Sequence, residues 1–189
     1  MLKNTISIIG AFFCLCICFG LLVPEKASAK KVSSTLKNGT FTISGKGKMP
    51  ESAMPKTAQK KKIKKIVIKN GVTELPEDAF RDCSKATVIT IAPTVNRIGA
   101  MAFYNTGVEK ITISDEVKYI RENAFNSLLS STSQKFSIRS VVLNNNIETL
   151  PKYAFAGNKE IKVYTNKEIM IQRYTFDNCG EYEIIRLTH

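Results

Sequence analysis

Val95-Asn-Arg-Ile98-Gly-Ala-Met-Ala102-Phe103 is one of five stretches built to a single plan. Each has an aliphatic residue, two variable residues, a second aliphatic residue, three variable residues, then a small residue and Phe. Val72, Leu75, Ala79 and Phe80 form the copy before it. Val117, Ile120, Ala124 and Phe125 form the next, and Ile147, Leu150, Ala154 and Phe155 the one after. The last copy is worn, with Glu168, Ile171, Thr175 and Phe176 in these positions. Successive Phe residues lie 23, 22, 30 and 21 positions apart. A period in this range is the sequence signature of a solenoid, in which each copy stacks on the next. The Phe is expected to plug the core from one tight helical turn, and the Ala to let backbones approach.

A second pattern precedes each copy: aliphatic-x-x-aliphatic-x-aliphatic. Its versions are Ile63, Ile66 and Ile68; Ala86, Ile89 and Ile91; Val108, Ile111 and Ile113; and Ile138, Val141 and Leu143. Asn158, Ile161 and Val163, then Tyr182, Ile185 and Leu187, complete the series. The last two positions alternate with a non-core residue and are rich in β-branched side chains, which predicts a short strand with one buried face. Such a strand cannot bury that face alone, so the next copy must cover it. Polar or breaker residues follow as corners: 69–71, 92–94, 114–116, 144–146 and 164–166.

This combination resembles the BspA-type leucine-rich repeat family of secreted and surface proteins, over roughly residues 36–187. The stretch 38–49 also resembles the hairpin that opens many of its members. The resemblance implies a predominantly β, α/β-type right-handed solenoid of about five repeats, with short parallel strands and an N-terminal β-hairpin cap. It implies partner-binding or adhesive roles and no catalytic residues. The domain layout expected is a leader over 1–29, a basic cap over 30–62 and the solenoid over 63–189.

The leader reading rests on Lys3, an apolar run over 6–23, Pro24 and Ala27-Ser28-Ala29. A basic start, an apolar core and an A-x-A site make a cleavable secretory signal. An uncleaved anchor also fits the length of the run, but Pro24 and the A-x-A site favour cleavage. Cys14, Cys16 and Cys18 follow Phe13, Leu15 and Ile17, not the small residue that lipoprotein processing needs. The processed chain is thus expected to be secreted or held at the cell surface, without a membrane span, and monomeric. It keeps two cysteines, Cys83 and Cys179, each three residues after a repeat Phe. Four rungs of ~4.8 Å separate them, ~19 Å in all. A disulfide needs Cα atoms within ~7 Å, so both are read as free, buried, small hydrophobes.

The charge is uneven. Residues 30–69 hold twelve lysines against one acid, Glu51, while residues 70–189 hold fourteen bases and fourteen acids. The densest part is Lys60, Lys61, Lys62, Lys64 and Lys65. Two readings compete. Lysines at the open edge of a first rung block strand-to-strand aggregation; alternatively, they hold an acidic glycan, a wall polymer or an acidic protein by long-range attraction. Nucleic acid fits poorly, because the region has no arginine and only Phe41 as an aromatic. On the sheet, exposed columns add Lys110, Arg139, Lys159, Lys162 and Arg186 as candidate partner-binding residues. These columns lack the aromatic anchors of tight interfaces. The fourth repeat carries about eight extra residues within 126–136. A tolerated surface insertion explains them most simply, and a binding loop is the alternative.

Catalysis finds no foothold. The only His in the chain is His189, which removes histidine triads and histidine metal sites. Gly45-Lys-Gly-Lys48 is too short for a phosphate loop. Carboxylate pairs such as Glu77 and Asp78, or Asp115 and Glu116, fall at turns rather than in a cleft. Asn38-Gly39-Thr40, a formal sequon, reads as a hairpin turn. No catalytic, cofactor-binding or metal-ligating residue is expected. Two function classes remain: an adhesin-like exported module that binds a protein or glycan at a cell surface, and a structural wall-associated protein held by its lysine-rich end.

Overall fold

The computed structural model describes residues 30–127 and 138–187. The expected leader, most of the fourth-repeat insertion (Phe136 included) and His189 lie outside the described residues. In chain order the strands are β1 (Ser33–Lys37), β2 (Thr40–Ser44), β3 (Gly47–Lys48), β4 (Lys65–Ile68), β5 (Val72–Leu75), β6 (Val88–Thr90) and β7 (Arg97–Ile98). There follow β8 (Lys110–Thr112), β9 (Tyr119–Ile120), β10 (Ser140–Val142), β11 (Thr149–Leu150), β12 (Glu160–Thr165), β13 (Met170–Ile171) and β14 (Glu181–Arg186). A 3-10 turn, Glu51–Ala53, and one short helix, α1 (Thr57–Lys60), precede β4. Each solenoid turn supplies one strand to a main sheet, one to a second, narrower sheet, and a Phe-bearing corner that joins the second strand to the next turn.

The aliphatic pattern sets this arrangement. Ile66 and Ile68 on β4, Val72 and Leu75 on β5, and Phe80 in the corner are all essentially inaccessible to water. The same positions recur as Val95, Ile98 and Phe103, then Val117, Ile120 and Phe125. The rings of Phe80, Phe103, Phe125 and Phe155 stack nearly parallel, with centroids 5.3–5.4 Å apart. Phe41 on β2 closes the row edge-on to Phe80 at 6.3 Å. One Phe per turn therefore forms a continuous aromatic column, with the small Ala beside each ring.

The corner is not the helical turn expected from the sequence. Its backbone reverses twice around each Phe. Asp78, Met101, Asn123, Tyr153 and Tyr174, each two residues before a Phe, have φ between 52° and 66°. Asp82, Asn105, Gly157 and Asn178, each two residues after, also have positive φ. A left-handed non-glycine residue costs roughly 1–2 kcal/mol. Bonding between turns offsets that cost: Phe80 N–H donates to Ala102 O at 2.7 Å, Phe103 to Ala124 at 2.8 Å and Phe125 to Ala154 at 2.9 Å. The reversals aim these N–H groups along the stacking axis, which a helical turn would not do.

At the N-terminus β1 and β2 form an antiparallel hairpin, and β2 pairs in parallel with β4. Asn38 and Gly39, with φ of 49° and 76°, make the two-residue turn. Both central residues need positive φ in such a turn, which is why Asn-Gly is there. The main sheet is in two parts, β1-β2-β4-β6 and β8-β10-β12-β14. Between β6 and β8 the pairing lapses, leaving a groove of about 470 Å³ lined by residues that include Thr87, Val88, Thr90, Lys110 and Thr112. The second sheet likewise divides into β3-β5-β7-β9 and β11-β13.

Two registers differ from the sequence reading. Val163, not Ile161, lies beside Val141, and Ile184, not Leu187, lies beside Val163. Val163 follows Phe155 by eight residues, as Ile111 follows Phe103 and Ile184 follows Phe176. Residues 164 and 165, expected in a corner, are the end of β12. Ile161, Val163 and Thr165 all face inward.

Candidate partner-binding surface

The lysine cluster is assembled by the cap and the first turn. α1 starts after Pro55, and the Lys56 N–H is capped by Gln59 Oε1 at 2.8 Å. Lys60 ends the helix, Lys61 and Lys62 form the turn after it, and fully buried Ile63 pins that turn to the core. Lys64 and Lys65 N–H groups both donate to Gly39 O, at 2.8 and 3.1 Å, so the hairpin turn rests on the start of β4. Through paired registers Lys37 aligns with Thr40 and Thr40 with Lys65, which brings Lys37 into the same column. Lys61, Lys62, Lys64 and Lys65 are exposed, and Lys60 is half-buried.

The charge of this cluster is not neutralised internally. The ion pairs among the described residues use Lys48, Arg81, Arg97, Lys162 and Arg186, and none uses Lys60, Lys61, Lys62, Lys64 or Lys65. Nor do these lysines border an open edge, as one sequence reading required. β4 lies between β2 and β6, and the free edge is β1. The hairpin occupies the place where edge-protecting lysines would be needed.

The second set of candidates is dispersed. Lys110, Ser140, Lys162 and Glu183 form one column across β8, β10, β12 and β14. Lys162 Nζ is 3.2 Å from Glu183 Oε2, and that hydrogen bond and charge hold its ammonium above the ordinary lysine value. Arg139 and Lys159 are exposed where their strands begin. Arg186 leaves the surface assigned to it: paired with Thr165, it lies on the core side of β14, 3.9 Å from Glu168 Oε1. The lapse between β6 and β8 separates all of these from the lysine cluster.

One exposed aromatic, Tyr119, lies elsewhere. On the second sheet Lys48, Glu74, Arg97 and Tyr119 follow one another in register. Glu74 pairs with Lys48 at 3.0 Å, and the Arg97 guanidinium sits 5.2 Å from the centre of the Tyr119 ring. The sequence reading considered only main-sheet columns and missed this row. It also missed Asn158, which it placed in an aliphatic slot. Asn158 is fully buried and accepts from Ile138 N–H at 2.8 Å and Ser127 Oγ at 2.9 Å, while donating to Phe155 O at 2.7 Å. Ser127 and Ile138 flank residues 128–137, so one amide ties together the two ends of the long repeat. Thr106 and Cys179 hold the equivalent place three residues after Phe, and each also bonds a Phe carbonyl.

Both described cysteines are unpaired. Burial pushes the Cys83 thiol up to about 12, although the Lys60 charge pulls the other way. Cys179 is only half-buried, and burial raises its thiol too. Both thiols therefore stay protonated at neutral pH, which slows their reaction with electrophiles. Among the described residues no group of His, Cys, Asp or Glu could hold a metal ion.

The repeat geometry agrees with a family model, the BspA type leucine rich repeat region, which matches residues 55–182 in six copies. The chain belongs to the BspA-type leucine-rich repeat family. Six is also the number of strand motifs in the sequence, one more than the Phe-bearing copies. Among solved structures it is similar to a leucine-rich repeat protein from Eubacterium ventriosum, with a TM-score of 0.67 and 23% identity. That likeness covers 82% of this chain and 42% of the other, so this BspA-type chain spans under half its neighbour's length. A leucine-rich repeat protein from Bacteroides ovatus is similar at 21% identity and a TM-score of 0.47, over 80% of this chain and 51% of that one. No curated protein matches. Membership in this BspA-type family indicates a surface, protein-interaction role and a generally non-catalytic one. No helix among the described residues is long and apolar enough to cross a membrane.

Proposed function

We propose that this chain is an exported, non-catalytic, adhesin-like protein that holds an anionic partner at a cell surface through the lysine-rich face of its cap and first turn. The partner is an acidic glycan, an acidic wall polymer or an acidic protein. One observation carries the reading: five lysines, none in an ion pair among the described residues, are gathered at the end of α1, in the turn after it and at the start of β4, an inner strand that needs no edge protection. Unneutralised like charges repel one another, so a partner that spreads opposite charge across them is favoured. The hairpin and buried Ile63 hold the backbone of the cluster, so binding need not order it. Export follows from the basic start, apolar run and A-x-A site of residues 1–29.

The experiment is retention of the processed protein on an immobilised acidic polysaccharide as salt rises. The Debye length shrinks from ~10 Å at 0.1 M salt to ~3 Å at 1 M. Retention should fade across that range. Retention that is unchanged by salt would overturn the reading.

A further inference from the structure

A proline marks the place where the second sheet divides. In the second, third and fifth turns the residue four before Phe lends its N–H to the preceding turn. Gly99 donates to Leu75 O at 3.0 Å, Arg121 to Ile98 O at 3.1 Å and Gln172 to Leu150 O at 3.0 Å. In the fourth turn that residue is Pro151, which has no N–H to give. The Ile120 carbonyl therefore lacks this donor, and β9 and β11 do not pair. Between them lies a groove of about 450 Å³. Its walls are tied together on either side. Asn144 Nδ2 donates to Val117 O at 3.0 Å and Asn146 Nδ2 to Asp115 O, while Asn123 N–H donates to Lys152 O at 3.3 Å. A groove held in this way need not be ordered by its ligand.

The lining combines one aromatic ring with balanced charge. Arg97, Tyr119 and Thr149 each lie six residues before their Phe, so they follow one another along the stack. The Arg97 guanidinium sits over the Tyr119 ring, 5.2 Å from its centre. The opposite face of the ring looks toward Thr149, whose small side chain leaves it open to the groove. Lys118 and Arg121 bring positive charge to the walls, and Glu122 and Glu148 bring negative. All four are exposed, and none is in an ion pair among the described residues. Donors and acceptors are thus both available, with no net charge.

We propose that this groove binds an uncharged oligosaccharide, with one sugar ring lying on the open face of Tyr119. A balanced set of charges favours neither an anion nor a cation. The ring face calls for C–H groups against it. Around it, the Ile120 carbonyl and the two carboxylates accept hydrogen bonds, and Lys118 and Arg121 donate them. A sugar ring meets all of these at once, with C–H groups on its face and hydroxyls that donate and accept at its rim. The groove has the size of a small-molecule site, ~300–1,000 Å³. A peptide strand fits less well. Phe125 and Phe155 of these two turns stack at 5.4 Å, and a strand inserted between β9 and β11 would need ~4.8 Å more. The site is independent of the lysine face and of the anionic partner assigned to it.

The full chain, processed by a secreting host, can be screened on an array of neutral glycans and titrated by calorimetry with maltotriose, cellotriose and N-acetylchitotriose. At least one neutral sugar should bind, and its affinity should be the same at ~0.1 M and ~1 M salt, because no ligand charge is there to screen. Tyr119→Ala, which changes an exposed side chain, should keep the far-UV spectrum and weaken binding about tenfold or more. Thr149→Tyr keeps the Tyr119 ring but covers its open face, and should block the same sugar. Failure of every neutral sugar to bind would overturn the proposal. So would affinity that fades with salt, binding that survives both variants, or a groove that takes a peptide in place of a sugar.

Discussion

Replacing Asn158 by Ala should do more damage than any other polar substitution in the described chain. The side chain is fully buried, and its amide serves three close partners: Ile138 N–H, Ser127 Oγ and Phe155 O. A fourth, Phe125 O, lies at 3.4 Å. Alanine removes the amide and leaves the Ile138 N–H without it in a dry interior, while Phe155 O keeps the Cys179 thiol. A buried group stripped of its partner costs roughly 1–3 kcal/mol, and with the other lost bonds the variant should cost about 2–3 kcal/mol. Thr106 is the internal control. It sits at the same repeat position and makes one such bond, to Phe103 O at 3.1 Å. Thr106→Val should therefore cost only about 1 kcal/mol. Urea unfolding followed by circular dichroism reads both, as a shift in midpoint at constant slope. Equal costs for the two variants would refute the view that one amide ties Ser127 to Ile138 and closes the long repeat.

Phe103→Ala, in the middle of the aromatic column, should cost ~3–5 kcal/mol by urea unfolding; a cost under ~1 kcal/mol would mean the column is not the core. Stability should fall as pH rises above about 9, because the unfolded chain releases the Cys83 proton while the folded chain, with that thiol pushed up to about 12, retains it. Cys83→Ala should flatten this fall by up to ~1.4 kcal/mol per pH unit, and an unchanged slope would contradict the burial argument. A thiol reagent should label Cys83 slowly before unfolding and fast after it, with half-buried Cys179 intermediate. The secreted protein should begin at Lys30 by intact mass, and a stable membrane-bound species that retains Cys14 would contradict the leader reading.

What was legible in the sequence follows from which side chains the stack repeats. Phe and Ala recur at fixed positions because every turn must present the same plug to the next, so period, the earlier main-sheet strands and family could be read directly, whereas the short strands of the second sheet were not read. The last two registers could not, because the inward position after Val163 is Thr165 and that after Ile184 is Arg186. With polar residues there, the aliphatic pattern slid onto Ile161 and Ile185, whereas counting eight residues from Phe155 and Phe176 recovers the true alignment. The corner was misread because Ala and Phe allow a helix, and nothing in Met101 or Tyr153 announces a positive φ. Asn158 was invisible for a related reason: a polar residue in an apolar slot reads as decay until its partners are seen. The lysine cluster was legible as charge, but its place was not. That depended on β2 pairing with β4, which moved the open edge to β1.

The central claim, that the lysine face and not the sheet carries binding, turns on two triple variants measured side by side. In one, Lys60, Lys61 and Lys62 are changed to Gln; in the other, Arg139, Lys159 and Lys162. Both sets are largely exposed, so neither should unfold the protein. Affinity for an acidic polysaccharide at low salt should drop at least tenfold for the first and change little for the second. Loss of binding in the second with retention in the first would contradict the account and move the site to the main sheet.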